Sequence, residues 1–193
     1  MFTQPLNISF DLPDWLTDFS QTYVTSTDLN ARMAFVIAAA RMNVEQGTGG
    51  PFAAAVFEAG TGKLVSLGVN LVTSRNLSML HAEMVALAVA QRKLGTYDLG
   101  AESLAVHELI ASTEPCSMCL GAIPWSGIRQ VATGARDEDA RAIGFDEGTK
   151  PGDWIGSLTS RGIKVSPDIE RESARTVLQL YVQENGRIYN PQN

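Results

Sequence analysis

The chain has 193 residues, 45% of them hydrophobic, with 15 basic against 21 acidic side chains and a formal net charge of −6. That length can bury one good core without disulfides or a second domain. The acidic balance lacks the footprint of a nucleic-acid binder, no run approaches the roughly 18 apolar residues that span a bilayer, and Met1 to Pro5 lacks the basic flank of a signal peptide, so a cytoplasmic chain with a small-molecule substrate is expected.

Residues 1–27, with Pro5, Pro13 and scattered Ser and Thr, read as an N-terminal extension that packs as a flap and holds at most one short helix around Trp15 to Phe19. Asp28 is a suitable N-cap for a helix of about 18 residues, with Leu29, Met33, Val36, Ile37, Ala40 and Val44 at core spacing. Gly47-Thr48-Gly49-Gly50 ends it. Two strands follow, Pro51 to Phe57 and Lys63 to Val69, joined through Gly60-Thr61-Gly62 as a hairpin. Asn70 stands at the end of the second strand, where an amide can donate and accept at once to read a base edge; a plain turn-forming Asn is the alternative.

After a loop over 71–80, a helix runs from His81 to Leu94 and stops at Gly95. A strand from about Ser103 to Ala111 delivers the chain to Pro115, and a short helix, Cys116 to Ile123, is interrupted by Pro124. Then come a strand over Ile128 to Thr133, a helix over Asp137 to Ile143 and the glycine-bracketed turn Gly144 to Gly148. Residues 149–160 read as irregular, Gly162 to Ser166 as the last strand, Asp168 to Gln183 as a helix, and Gly186 to Pro191 as an extended tail. Strands alternating with helices give an α/β sandwich around a mixed sheet.

Two stretches carry chemistry: His81-Ala82-Glu83 and Pro115-Cys116-Ser117-Met118-Cys119, with 32 residues between Glu83 and Cys116. They hold both cysteines and one of the two histidines. One His and two Cys fill three positions of a tetrahedral zinc and leave the fourth for water, the mark of a catalytic site. Cys116 and Cys119, at i and i+3, share a helix face, and a helix beginning after Pro115 puts its positive end beside the thiolates. Zinc lowers the pKa of its water to roughly 7. Glu83, in the first helical turn, would carry that water's proton to a ring nitrogen and on to a leaving amine.

Cys-x-x-Cys alone also suits a redox pair, which needs no His-x-Glu. A structural zinc needs a fourth ligand, and the other histidine, His107, lies in a stretch that reads as a strand, where a surface or satisfied core role is commoner. His-x-Glu followed by Pro-Cys-x-x-Cys is the signature of zinc-dependent nucleobase deaminases.

Gly50-Pro51-Phe52, Asn70, His81-Ala82-Glu83, Glu114 through Trp125, and Ala142-Ile143-Gly144-Phe145-Asp146-Glu147 together closely resemble the bacterial guanine deaminases of the cytidine-deaminase-like superfamily, over roughly residues 28–160. The metal motifs are common to the superfamily; Gly-Phe-Asp followed by an acid is what resembles guanine deaminase in particular. The resemblance implies a three-layer α/β/α sandwich with a five-stranded mixed sheet, one zinc per chain, and hydrolysis of guanine to xanthine and ammonia.

Carried over, His81, Cys116 and Cys119 hold zinc, Glu83 shuttles protons, and Glu147 is a second carboxylate facing the N–H and 2-amino edge of the base. Asn70 and Ala82 bind the purine, Phe52 and Phe145 sandwich it, and Trp125 walls the pocket. The resemblance further implies a homodimer in which 166–193 is exchanged as helix and tail, with Tyr189 a lid, and a deaminase domain over 28–193. Leu77-Ser78-Met79-Leu80 replaces the family's usual Asp-Pro-Thr-Ala, Ala53 a common Gly, and Pro124 a common aromatic, which bears on the pocket mouth. An amino-oxo s-triazine shares the N–C(NH2)–N edge and is an expected further substrate. The alternatives are a tRNA adenosine deaminase, a cytosine deaminase and a structural zinc-binding module.

Overall fold

The structure is a computed structural model that describes residues 4–190; the readings made for Met1 to Thr3 and for Pro191 lie outside the described residues. The elements in chain order are α1 (Trp15–Gln21), α2 (Leu29–Glu45), β1 (Ala53–Glu58), β2 (Leu64–Val69), α3 (Val72–Arg75), α4 (Ala82–Leu94), β3 (His107–Thr113), α5 (Ser117–Trp125), β4 (Gln130–Ala135), α6 (Asp137–Ala142), α7 (Trp154–Thr159), β5 (Lys164–Ser166) and α8 (Arg171–Gln183). The strands form one sheet in the order β2-β1-β3-β4-β5. β1 runs antiparallel to both β2 and β3, whereas β3, β4 and β5 are parallel, so the sheet is mixed.

Alternation along β1 splits the core in two. Ala53, Ala55 and Phe57 face the layer of α2 and α8 with Met33, Val36, Val177 and Leu178. Ala54 and Val56 face the layer of α4, α5 and α7 with Ala86, Leu120, Ile123 and Leu158. This is the three-layer sandwich. Asp28 caps α2 by accepting from Asn30 N at 3.0 Å. The N-terminal segment is fastened down: Leu16 is buried, Phe19 stacks on Phe35 with centroids 5.1 Å apart, and Tyr23 Oη donates to Gly62 O at 2.7 Å.

Several elements differ from the sequence reading, among them β1, which starts at Ala53, the 71–80 loop, which holds α3, and β4, which covers Gln130–Ala135 in place of Ile128 to Thr133; four further differences have a visible cause. β3 begins at His107 because its span is set by pairing, from Glu58↔His107 on one side to Thr113↔Ala135 on the other, and residues ahead of it turn through Leu104 N donating to Ala101 O. α5 continues past Pro124 to Trp125, since a proline so near the helix end removes one bond of a turn that is already finishing. Residues 149–160 contain α7, started by Asp153 accepting from Gly156 N and held by Trp154 and Leu158, an i, i+4 pair buried in the second core. α8 begins at Arg171, because Asp168 and Glu170 take left-handed backbone angles of +63° and +53°.

His107 is a satisfied core residue, buried with Nδ1 2.8 Å from Leu99 O. Gly68 in β2 sets the height of α4 over the sheet. A Cβ there would lie 2.5 Å from Ala82 O and 2.4 Å from Ala86 N, so only glycine lets the first turn of α4 come this close.

Candidate active site

The functional residues gather where β1 begins and β2 and β3 end. His81 and Cys116 are the N-caps of α4 and α5, both with extended backbone, so each side chain projects from a helix N-terminus. The ligand atoms of His81, Cys116 and Cys119 all lie within 4.8 Å of one another, with His81 Nδ1 3.4 Å from Cys116 Sγ. Ideal tetrahedral zinc separates a nitrogen and a sulfur ligand by roughly 3.5 Å. The donor set therefore fits zinc in type and spacing. Hydrogen bonding from Cys119, opposed by burial and aided by His81, pulls the Cys116 thiol down to about 4, ready as a thiolate. The hydrogen bond to Cys116 and burial push the Cys119 thiol well up.

Beside the triad lies a cavity of about 330 Å³, at the small end of ligand sites and sized for one heterocycle. Glu83 and Glu147 both line it and both are buried. Burial, then the negative charge at Cys116, pushes Glu83 up to about 7. Burial, then the charges of Cys116 and Glu83, pushes Glu147 up to about 8. Asn70, 1% exposed, faces the same cavity, with Oδ1 accepting from Val72 N at 3.2 Å.

The Glu147 loop is tied down on both sides. Ser117 N donates to Glu147 O at 3.0 Å, and Arg141 Nη2 donates to Gly148 O at 2.8 Å. Asp146 N donates to Asn190 Oδ1, and Asn190 Nδ2 donates to Gly144 O, each at 2.9 Å. Lys150, which the sequence reading passed over, donates from Nζ to Pro115 O at 3.0 Å.

Three sequence expectations change here. Phe52 and Phe145 do line the cavity, but their rings meet edge-on with centroids 5.0 Å apart, too close to admit a base between them, and Tyr189 continues the contact at 5.0 Å from Phe145. They form one aromatic wall instead of two halves of a sandwich. Trp125 is 87% exposed and lines a neighbouring groove with Pro124 and Lys150. It stands at the last residue of α5, about 13 Å along the helix from Cys116 at 1.5 Å per residue, which takes it out of this cavity. Ala82 buries its side chain in the second core, so what it can offer the cavity is the backbone N–H of a first helical residue. Tyr189 lines the cavity, and its buried hydroxyl has no hydrogen-bond partner among the described residues. Ser112 and Thr113, at the end of β3, also line it; their position just before the Pro-Cys motif was the available signal.

Residues 26–135 match the cytidine and deoxycytidylate deaminase zinc-binding region. The guanine deaminase of Bacillus subtilis is 39% identical over 104 residues, which are 54% of this chain; the chain spans 62% of the length of that relative. A solved guanine deaminase from Nitrosomonas europaea superposes with a TM-score of 0.88 at 41% identity, over 93% of this chain and 98% of that one. A variant solved in complex with 8-azaguanine gives the same TM-score, identity and coverage. The matched region carries the metal triad, the first carboxylate and four of the five strands of the sheet, and the chain belongs to the cytidine and deoxycytidylate deaminase family of zinc-binding hydrolytic deaminases.

Proposed function

We propose that this protein hydrolyses guanine to xanthine and ammonia: water adds at C2 and the 2-amino group leaves. The observation that carries the reading is the pair of buried carboxyl groups, Glu83 and Glu147, in one small cavity with Asn70 and the metal triad. The guanine deaminases it resembles support it. Bound zinc, held by His81, Cys116 and Cys119, supplies the Lewis acidity that makes a water nucleophilic near neutral pH.

The chain's own groups do the rest. Glu83 takes one proton from the attacking water to ring N3, where it stays in xanthine, and then carries the proton of the new C2 hydroxyl to the 2-amino group as C2=O forms and the C2–N bond breaks; a carboxyl raised to about 7 is suited to both transfers. Glu147 faces the edge that presents N1–H and the 2-amino group, accepts from both when ionised, and delivers a second proton to the departing nitrogen when it is not. Asn70 reads the far edge of the base, and the wall of Phe52, Phe145 and Tyr189 covers a ring face and excludes water.

The reading extends to amino-oxo s-triazines, which share the N–C(NH2)–N edge. It also includes a deaminase domain over 28–193, a homodimer in which 166–193 is exchanged, each tail then taking in its partner the place that it holds here in its own chain, and a cytoplasmic setting. Among the described residues no helix is long and apolar enough to cross a membrane. The test is ammonia release from guanine, cytosine, adenosine-containing RNA and amino-s-triazines by zinc-loaded wild type, Glu83→Gln and Glu147→Gln. General acid–base groups are worth roughly 10²–10⁴-fold, so both variants should lose guanine turnover on that scale while keeping zinc. Turnover of another substrate with guanine untouched overturns the reading.

A further inference from the structure

Asn43, in the last turn of α2, is polar and fully buried, which is stable only if its amide is satisfied. Its Nδ2 donates to two backbone carbonyls, Gly50 O at 2.8 Å and Asn70 O at 3.0 Å. Its Oδ1 accepts from Thr48 Oγ1 at 2.7 Å, and Thr48 Oγ1 accepts from Trp15 Nε1 at 3.1 Å. An indole N–H only donates, so the threonine proton points to Asn43 Oδ1 and the amide is left with its NH2 toward the two carbonyls. The protons along this chain run one way, from α1 to the backbone that carries Asn70.

The receiving backbone is itself cross-tied. Gly50 O also accepts from Phe52 N at 2.9 Å, and Asn70 N donates to Phe52 O at 3.0 Å. Gly49 makes room for the arrangement, since a Cβ there would stand 1.8 Å from Asn70 O and 2.8 Å from Asn43 Nδ2. Phe52 and Asn70 both line the cavity, whereas His81, Glu83 and Cys116 are carried by α4 and α5, which the relay does not touch.

We propose that Trp15, Thr48 and Asn43 are positioning residues for Asn70, a relay through which the N-terminal extension sets where the base-reading amide sits and so tunes ground-state binding of the substrate. This rests on the reading that Asn70 contacts the base. It gives residues outside the matched domain a part in the site: α1 reaches the substrate through one threonine and one asparagine.

The experiment measures 8-azaguanine affinity, and KM and kcat for guanine, on zinc-loaded wild type, Thr48→Val, Thr48→Ser, Trp15→Phe, Asn70→Ala and the Thr48→Val/Asn70→Ala double variant, with melting temperatures alongside. One net hydrogen bond corresponds to roughly 3–10-fold, so Thr48→Val should weaken 8-azaguanine binding and raise KM by that factor, with kcat within about two-fold of wild type. Thr48→Ser, which keeps the hydroxyl, should bind as wild type does, and Trp15→Phe should shift KM less, in the same direction. In the Asn70→Ala background the Thr48→Val effect should vanish. If it persists there undiminished, or if Thr48→Val lowers the melting temperature with KM unmoved, the network only braces the fold and the relay is overturned. If Asn70→Ala alone binds 8-azaguanine as tightly as wild type, it is the role of Asn70 that fails, and the relay falls with it.

Discussion

Lys150 shows how a side chain outside both motifs serves the metal loop. Its ammonium is 2.9 Å from Asp137 Oδ1 and 5.7 Å from the centre of the Trp154 ring, and it donates to the carbonyl of Pro115, the residue before the first cysteine ligand. Lys150→Met would leave that buried carbonyl without its donor and take one of two cations from a half-buried carboxylate, which keeps Arg141, at a cost of about 1–3 kcal/mol. The expected result is a lower melting temperature and faster zinc loss to a chelator, and unchanged zinc retention would show that the lysine does not hold the loop. His81, Glu83, Cys116 and Cys119 were legible in the sequence because ligation and proton transfer restrict residue type so severely. Lys150 and Asn43 were not, because a lysine in a loop or an asparagine in a helix carries no signal until its partner is known, and those partners lie 35 and 27 residues away. Trp125 was misplaced for the opposite reason: nearness to the motif in sequence became distance along a helix.

Among elements, α4 depends most on one missing side chain. Gly68→Val would drive a branched side chain into the backbone of the first turns of α4, where even a Cβ lies at 2.4–2.5 Å. Overpacking of this kind costs typically about 1–3 kcal/mol, and here it also displaces His81 and Glu83. The variant should therefore lose zinc affinity and turnover together, measurable by metal analysis of the purified protein; full zinc occupancy at wild-type activity would show that the helix seat is not set by Gly68. Elements with local signals were readable, such as α2 with its Asp28 cap and regular apolar stripe. The limits of β3 were not, because they are fixed by partners on two other strands, and α7 was not, because six residues are too few to show a period. The start of α8 was hidden in two non-glycine residues with left-handed backbone, a conformation composition does not announce.

Over the whole molecule, the C-terminal helix is fixed to α6 partly by charge. Asp139 of α6 accepts from Arg171 at 2.9 Å and lies 3.1 Å from Arg175 in α8, while Asp168 pairs with Arg136. The Arg171 hydrogen bond holds the Asp139 carboxyl below its ordinary range, and Arg136 does the same for Asp168. A carboxyl with a lowered folded pKa adds stability above its unfolded value near 4 and loses it as pH falls through the folded value. The melting temperature should thus drop below about pH 4, and Asp139→Asn should flatten that acid limb; an equally steep limb in the variant would assign acid sensitivity elsewhere. The mixed sheet has one more consequence, which concerns time. β3 is the central strand, pairing Ala54 with Ala111 on one side and Thr113 with Ala135 on the other. His81 stands on a helix seated over β1 and β2, and the cysteines come directly after β3. Until that strand inserts, a refolding chain owns the histidine half of the metal site or the cysteine half, never both. Tight zinc uptake during refolding is therefore a clock for the closing of the sheet, and it lags helix formation because the pairing it waits for is the least local strand pairing among the described residues.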